Sequence, residues 1–181
     1  ITVIFVEKNA KMSMSSDNKD VIYVKGSNVG KSYTTALGEY YEYDAFVNGT
    51  ETTIKTDTAH QFTNDALIYG PRYNEKEILT GYEDMVVLST TAGNDGDLRN
   101  VVGTGAVKNE VVKLGGTPYA YTSDVQVYFV DVDGNLIASD IGAITDDADD
   151  LVAFKVNDDG RLTDVYVKIV DAAENVNPGR S

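Results

Sequence analysis

The segment Gly26-Ser27-Asn28-Val29-Gly30-Lys31-Ser32 sets two glycines, a lysine and a hydroxyl in the order that cradles a phosphate. That chemistry needs four residues between the glycines, so that successive N–H groups wrap the anion, and a helix N-terminus behind them. Here three residues intervene, and Tyr33 to Phe46 reads as loop and strand. The segment is predicted to be a turn. Asp131-Val132-Asp133-Gly134-Asn135 puts carboxylates at alternate positions, as calcium loops do around a hard cation. The EF-hand pattern then needs glycine at its sixth position and a bidentate acid at its twelfth, and these fall on Leu136 and Gly142. A looser calcium site would join Asp131 and Asp133 to the acidic run Asp146, Asp147, Asp149 and Asp150, whose mutual repulsion a bound Ca²⁺ would relieve. The alternative is a pair of hairpin turns and a solvated acidic loop. Calcium is the only cofactor these patterns admit.

Catalytic constellations fail for want of partners. His60 is the single histidine and there is no cysteine, so neither a typical zinc site nor disulfides can be built, and a Ser-His-Asp triad would rest on His60 alone. No Gly-x-Ser-x-Gly elbow occurs. Carboxylate pairs for glycoside hydrolysis usually stand beside aromatic sugar platforms, and tryptophan is absent. The chain is expected to be no enzyme, with no catalytic residue assigned. The twelve tyrosines are the informative surplus. Tyr40, Tyr41 and Tyr43 put phenols on both faces of one strand, and Tyr119 with Tyr121 puts two on one face. Outward-facing ones would pair across strands or form a contact surface, since tyrosine joins apolar area to a hydroxyl. Ordinary sheet packing is the competing use.

Positioning any of these residues falls to β-strands. Runs rich in Val, Ile, Tyr, Phe and Thr recur between Gly, Asn and Asp. Tyr41–Val47, Asn48-Gly49 and Thr50–Lys55 predict a hairpin, because Asn-Gly accepts the positive φ of a type I′ turn. Asn48-Gly49-Thr50 also matches a glycosylation sequon, which the turn explains fully. A second hairpin follows Val125–Val130 at Asp131–Asn135, and a third joins Leu151–Val156 to Leu162–Ile169 through Asn157–Gly160. Thr145–Asp150 and Thr58–Ala66 are the only short helical candidates. The expected fold is all-β: two tandem small antiparallel barrel or sandwich modules built from hairpins, with little helix. Gly93–Asp97 lacks large apolar residues and suggests a boundary, giving modules over 1–95 and 96–181, the latter with a polar tail. The same stretch also fits one long hairpin loop.

The 181 residues are 42% hydrophobic, enough for a packed core. Net charge is −14, from 15 basic and 29 acidic residues. A field of that sign repels phosphate backbones and anionic headgroups, so nucleic-acid partners and membrane insertion are not expected. No run reaches the roughly 18–20 apolar residues of a spanning helix.

Ile1–Ala10 lines up with Leu162–Ile169: both place Thr second, an aromatic fifth and Val sixth. Strands share a small alphabet, so coincidence is one reading. The other makes Ile1 the opening of a module's closing strand in a tandem array. Ile1, Val3, Ile4, Phe5 and Val6 then form an assembly strand, which completes its own sheet or is donated to a neighbouring subunit. Asp20–Gly26 similarly echoes Asp124–Asp131.

Tyr40–Gly49, Val127–Asn135 and Asp158–Val167 carry a resemblance to the β-rich portions of S-layer homology domain-containing cell-surface proteins of gut Firmicutes. It covers most of residues 20–170. The resemblance implies an extracellular location on the bacterial surface and a structural, self-assembling role without catalytic residues. Partners would be copies of the chain or adjacent modules, and cell-wall polymer would be reached only through domains not present here. The alternative is an adhesin-type module for host glycan or protein.

Overall fold

The computed structural model describes residues 19–26, 31–35, 38–57, 62 and 64–170, with 31–35 and 38–39 as backbone only. The chain divides into two compact units between Met85 and Val86. It is all-β, as the hairpin signals imply.

The first unit comprises β1 (Val21–Val24), β2 (Lys31–Thr35), β3 (Gly38–Val47), β4 (Thr50–Thr56), β5 (Ala66–Tyr69), β6 (Arg72–Tyr73) and β7 (Ile78–Gly81), and its sheet takes in β8 (Asp84–Val87), which runs through the point of division. These lie in one sheet in the order β6-β7-β4-β3-β1-β5-β8, with β2 paired on β3. β1 and β5 are runs of four residues buried throughout, as central strands covered on both faces must be. Asn48 and Gly49 take φ of 49° and 89°, and the hairpin closes with Val47 opposite Thr50. Tyr43 packs edge-on against Phe62, ring centroids 5.3 Å apart, and Ile22, Ala45 and Ile54 are buried in the same unit.

The second unit comprises β9 (Gly93–Asp95), β10 (Leu98–Thr104), β11 (Val112–Leu114), β12 (Thr117–Tyr119), β13 (Tyr121–Val130), β14 (Leu136–Ser139), β15 (Asp147–Val156) and β16 (Leu162–Lys168). Its sheet runs β12-β11-β10-β15-β16-β13-β14, with β9 paired on β10. Gly93–Asp97 therefore belongs to a hairpin, with Asp95 opposite Leu98. One face carries a core of Val112, Leu114, Val127, Phe129, Val152, Phe154, Val165 and Val167.

Two expectations change. The sheets are not purely antiparallel, since β4 runs parallel to β7 and β13 parallel to β16. In both places the facing strands belong to two separate hairpins, β3–β4 with β6–β7 and β13–β14 with β15–β16. Thr145–Asp150 makes no helical turn; the only helical element among the described residues is a 3-10 turn at Ile141–Ala143. Asp147 Oδ1 does accept the N–H groups of Asp149 (2.8 Å) and Asp150 (3.0 Å), as an N-cap would. Pairing of Leu151 with Val102 and Asp147 with Thr104 draws the chain into β15 instead. Of the other helical candidate, residues 58–61 and 63 lie outside the described residues, and Ala66 begins β5.

One five-residue turn occurs at Asn74–Ile78, Asp131–Asn135 and Asn157–Arg161. In each, the first residue's N–H donates to the fifth residue's carbonyl, and the fourth residue's N–H donates back to the first (2.9–3.0 Å). The first side chain's Oδ1 accepts the N–H groups of the third and fifth residues, at 2.8–3.1 Å. The fourth residue takes positive φ: 87° at Gly134, 77° at Gly160 and 64° at Glu77. Left-handed backbone crowds a Cβ, so Glu77→Gly is expected to stabilise the first unit by about 0.5–1 kcal/mol. A urea midpoint that stays put or falls would show Glu77 to be unstrained.

Candidate functional site

The acidic residues read as a calcium candidate lie in two places. Asp131 and Asp133 sit in the β13–β14 turn, where Asp131 Oδ1 holds the N–H groups of Asp133 and Asn135. Asn157 and Asn74 make the same bonds with neutral amides, so this position needs an oxygen acceptor and no charge. Asp146, Asp147, Asp149 and Asp150 lead into β15. Asp146 Oδ1 accepts the N–H of Ala106 (2.8 Å), Asp147 holds its own turn, and the buried Asp150 accepts the N–H of Val170 (3.4 Å). Among the described residues, no three carboxylates or imidazoles converge as metal ligands.

Asp146 and Asp147 instead line an open groove of about 550 Å³ with Lys113, Thr104 and the backbone of Gly103, Gly105 and Gly116. It arises at a bulge, where the β10–β15 register shifts between Val102 and Thr104 and Gly103 takes φ of 97°. A Cβ at Gly116 would meet nothing within 4 Å, so the space beside it is open. Thr104 Oγ1 donates to the Thr145 carbonyl (2.6 Å), tying the two lips together. The groove offers a cation, two carboxylates and exposed backbone.

In the first unit the sequence pattern missed Asp65, a buried anchor bonded to Gly26. Tyr23, fully buried, donates its hydroxyl to Asp65 Oδ2 (2.5 Å), and Gly26 N–H donates to Oδ1 (2.8 Å). Lys31–Thr35, where a phosphate loop needs a helix, is β2. Residues 27–30 lie outside the described residues, as do His60 and the assembly strand Ile1, Val3, Ile4, Phe5 and Val6.

The tyrosines divide. Tyr40 and Tyr41 are half-buried, and Lys55 Nζ stands 5.1 Å from the Tyr40 ring centroid. Tyr43 is core. Tyr119 ends β12 and Tyr121 begins β13, yet both pack against the second unit's core, with Tyr119 edge-on to Phe154 at 4.9 Å. Tyr128 and Tyr166, not singled out by sequence, stack at 4.9 Å. Burial, then the Asp20 carboxylate, pushes the Tyr73 phenol up to about 12.

Asp164 lies between these strands, opposite Lys155 on β15 and Gln126 on β13. Burial pushes its carboxyl above the ordinary value, with the Asp124 charge adding to the rise. The Thr163 hydroxyl, donating at 2.9 Å, and the Lys155 ammonium oppose it. A raised acid holds its proton in the native state after the unfolded chain has lost it. Stability contributed here is therefore present at low pH and falls as pH rises from the ordinary carboxylate range through the folded-state value. Asp164→Asn should flatten that fall and raise the melting temperature at neutral pH. Melting curves across the acid range check this, and an unchanged slope would clear Asp164.

No helix among the described residues is long and apolar enough to cross a membrane. Comparison of the chain with protein-family models, with curated proteins and with solved structures finds no match.

Proposed function

We propose that this chain is a structural module of a bacterial cell-surface protein, an S-layer-like array or fibre, acting through module–module or subunit–subunit contacts. The supporting observation is how the reactive-looking side chains are used. Asn74, Asp131, Asp147 and Asn157 hold their own turns, and Asp65 pins one buried strand end to its neighbour. Polar chemistry is invested in shape. The extracellular location and the partnership with copies of the chain rest on the sequence resemblance.

Deleting residues 1–8 tests the reading. A folded chain that no longer self-associates by light scattering supports strand donation between subunits. Loss of the folded signal instead makes the segment an internal strand. A full-length chain that stays monomeric at every concentration, alone and with adjacent modules, counts against an assembly role. The groove at the β10–β15 bulge favours a second reading, an adhesin-type module for glycan or protein. A glycan array and a Lys113→Ala variant decide it: saturable binding that this change weakens supports the second reading, and an empty array removes its glycan form.

A further inference from the structure

The turn between β3 and β4 joins a reactive dipeptide to a clamp. Asn48 is exposed, and Gly49 follows it without a side chain to hinder its nitrogen. The Gly49 N–H makes no hydrogen bond among the described residues. The Asn48 side chain, by contrast, is held from outside the turn. Its Oδ1 accepts the N–H of Val21 (3.1 Å) and its Nδ2 donates to Asp20 Oδ1 (3.0 Å). Its main-chain N–H donates to the Val21 carbonyl at 2.9 Å. One asparagine thus fastens the tip of the hairpin to the start of β1, the buried central strand.

We propose that Asn48 is a site of backbone-assisted deamidation, gated by this clamp, and that conversion unfastens β1 from the turn. The Gly49 nitrogen attacks Cγ of Asn48. A C–N bond forms, the bond from Cγ to the side-chain nitrogen breaks, and ammonia leaves carrying the proton lost by Gly49. Water then opens the cyclic imide at either carbonyl, giving aspartate or isoaspartate. Attack requires the side chain to swing toward Gly49, so the bonds to Val21 and Asp20 must open first. Conversion is irreversible. Where Nδ2 donated, an acceptor-only carboxylate then faces the Asp20 carboxylate, and attraction becomes repulsion. The isoaspartate product also lengthens the main chain inside a turn that needs left-handed backbone at both central positions.

The experiment incubates the folded chain in mildly alkaline buffer beside a urea-unfolded sample, and follows the peptide containing Asn48 by mass spectrometry. The folded chain should convert at Asn48, more slowly than the unfolded one. Asp20→Ala, which removes one hydrogen bond of the clamp, should speed folded-state conversion about five-fold. Asn48→Asp should lower the unfolding midpoint at neutral pH, with partial recovery in Asn48→Asp combined with Asp20→Asn. No conversion in the folded chain while the unfolded chain converts would overturn the site. Equal rates with and without Asp20, or no loss of midpoint in Asn48→Asp, would overturn the clamp.

Discussion

Gly26→Ala is expected to destabilise the first unit by about 3 kcal/mol or more, among the largest single-residue effects in the chain. A Cβ there would stand 2.1 Å from the Asn64 carbonyl carbon, 2.3 Å from its oxygen and 2.5 Å from its Cα. All three are backbone atoms, so no rotamer change relieves the clash. Separating the strands would also pull Gly26 N–H from Asp65, whose other oxygen takes the buried Tyr23 hydroxyl. An unsatisfied buried phenol or amide costs about 1–3 kcal/mol, so Asp65→Ala should be damaging by itself. The two substitutions break the same contact, and the double variant should lose less than their sum. Urea unfolding measures all three. Gly142→Ala is the control: its Cβ would approach Asp140 Oδ1 at an ordinary 3.4 Å, and its cost should stay within about 0.5 kcal/mol. A Gly26→Ala loss as small as the control's would show that the chain at Asn64 yields easily.

Phe154→Ala should cost about 3–5 kcal/mol through lost burial and the cavity left behind. Phe154 is 0% exposed on β15, the strand between β10 and β16. Its ring meets Tyr119 edge-on, so truncation removes an aromatic contact as well as apolar area. Phe154→Leu retains most of the volume and should lose about 1–1.5 kcal/mol, which keeps the comparison measurable if the alanine variant fails to fold. Near-equal losses for the two would mean that ring shape matters more than volume at this position.

The legible parts of this fold are those written in adjacent residues. Asn48-Gly49 announces its turn because only a few residue types tolerate positive φ, and Gly134 and Gly160 mark their turns similarly. The five-residue turn at Asn74–Ile78 hid because Glu77 occupies the left-handed position, contrary to local preference. The parallel pairings were illegible for a different reason. Registers such as Tyr128 with Tyr166 join residues far apart in sequence, and alternation within one strand does not reveal which strand lies beside it.

The same separation explains the candidate sites. Asp131 suggested a cation ligand because sequence shows spacing but not which N–H groups a carboxylate already holds. Asp65 gave no signal, since its partners Tyr23 and Gly26 lie 42 and 39 residues away. Tyr119 and Tyr121 do share a face, but it is the core face, and spacing alone does not say which face of a strand is covered.

The position of β16 has a mechanical consequence. Tension applied beyond Ile169 enters along the axis of a strand flanked by β15 on one side and β13 on the other. Extracting that strand lengthwise shears hydrogen bonds on both flanks together, whereas pulling on an edge hairpin peels them in succession. Load shared in this way makes β16 a point of resistance in a chain under tension.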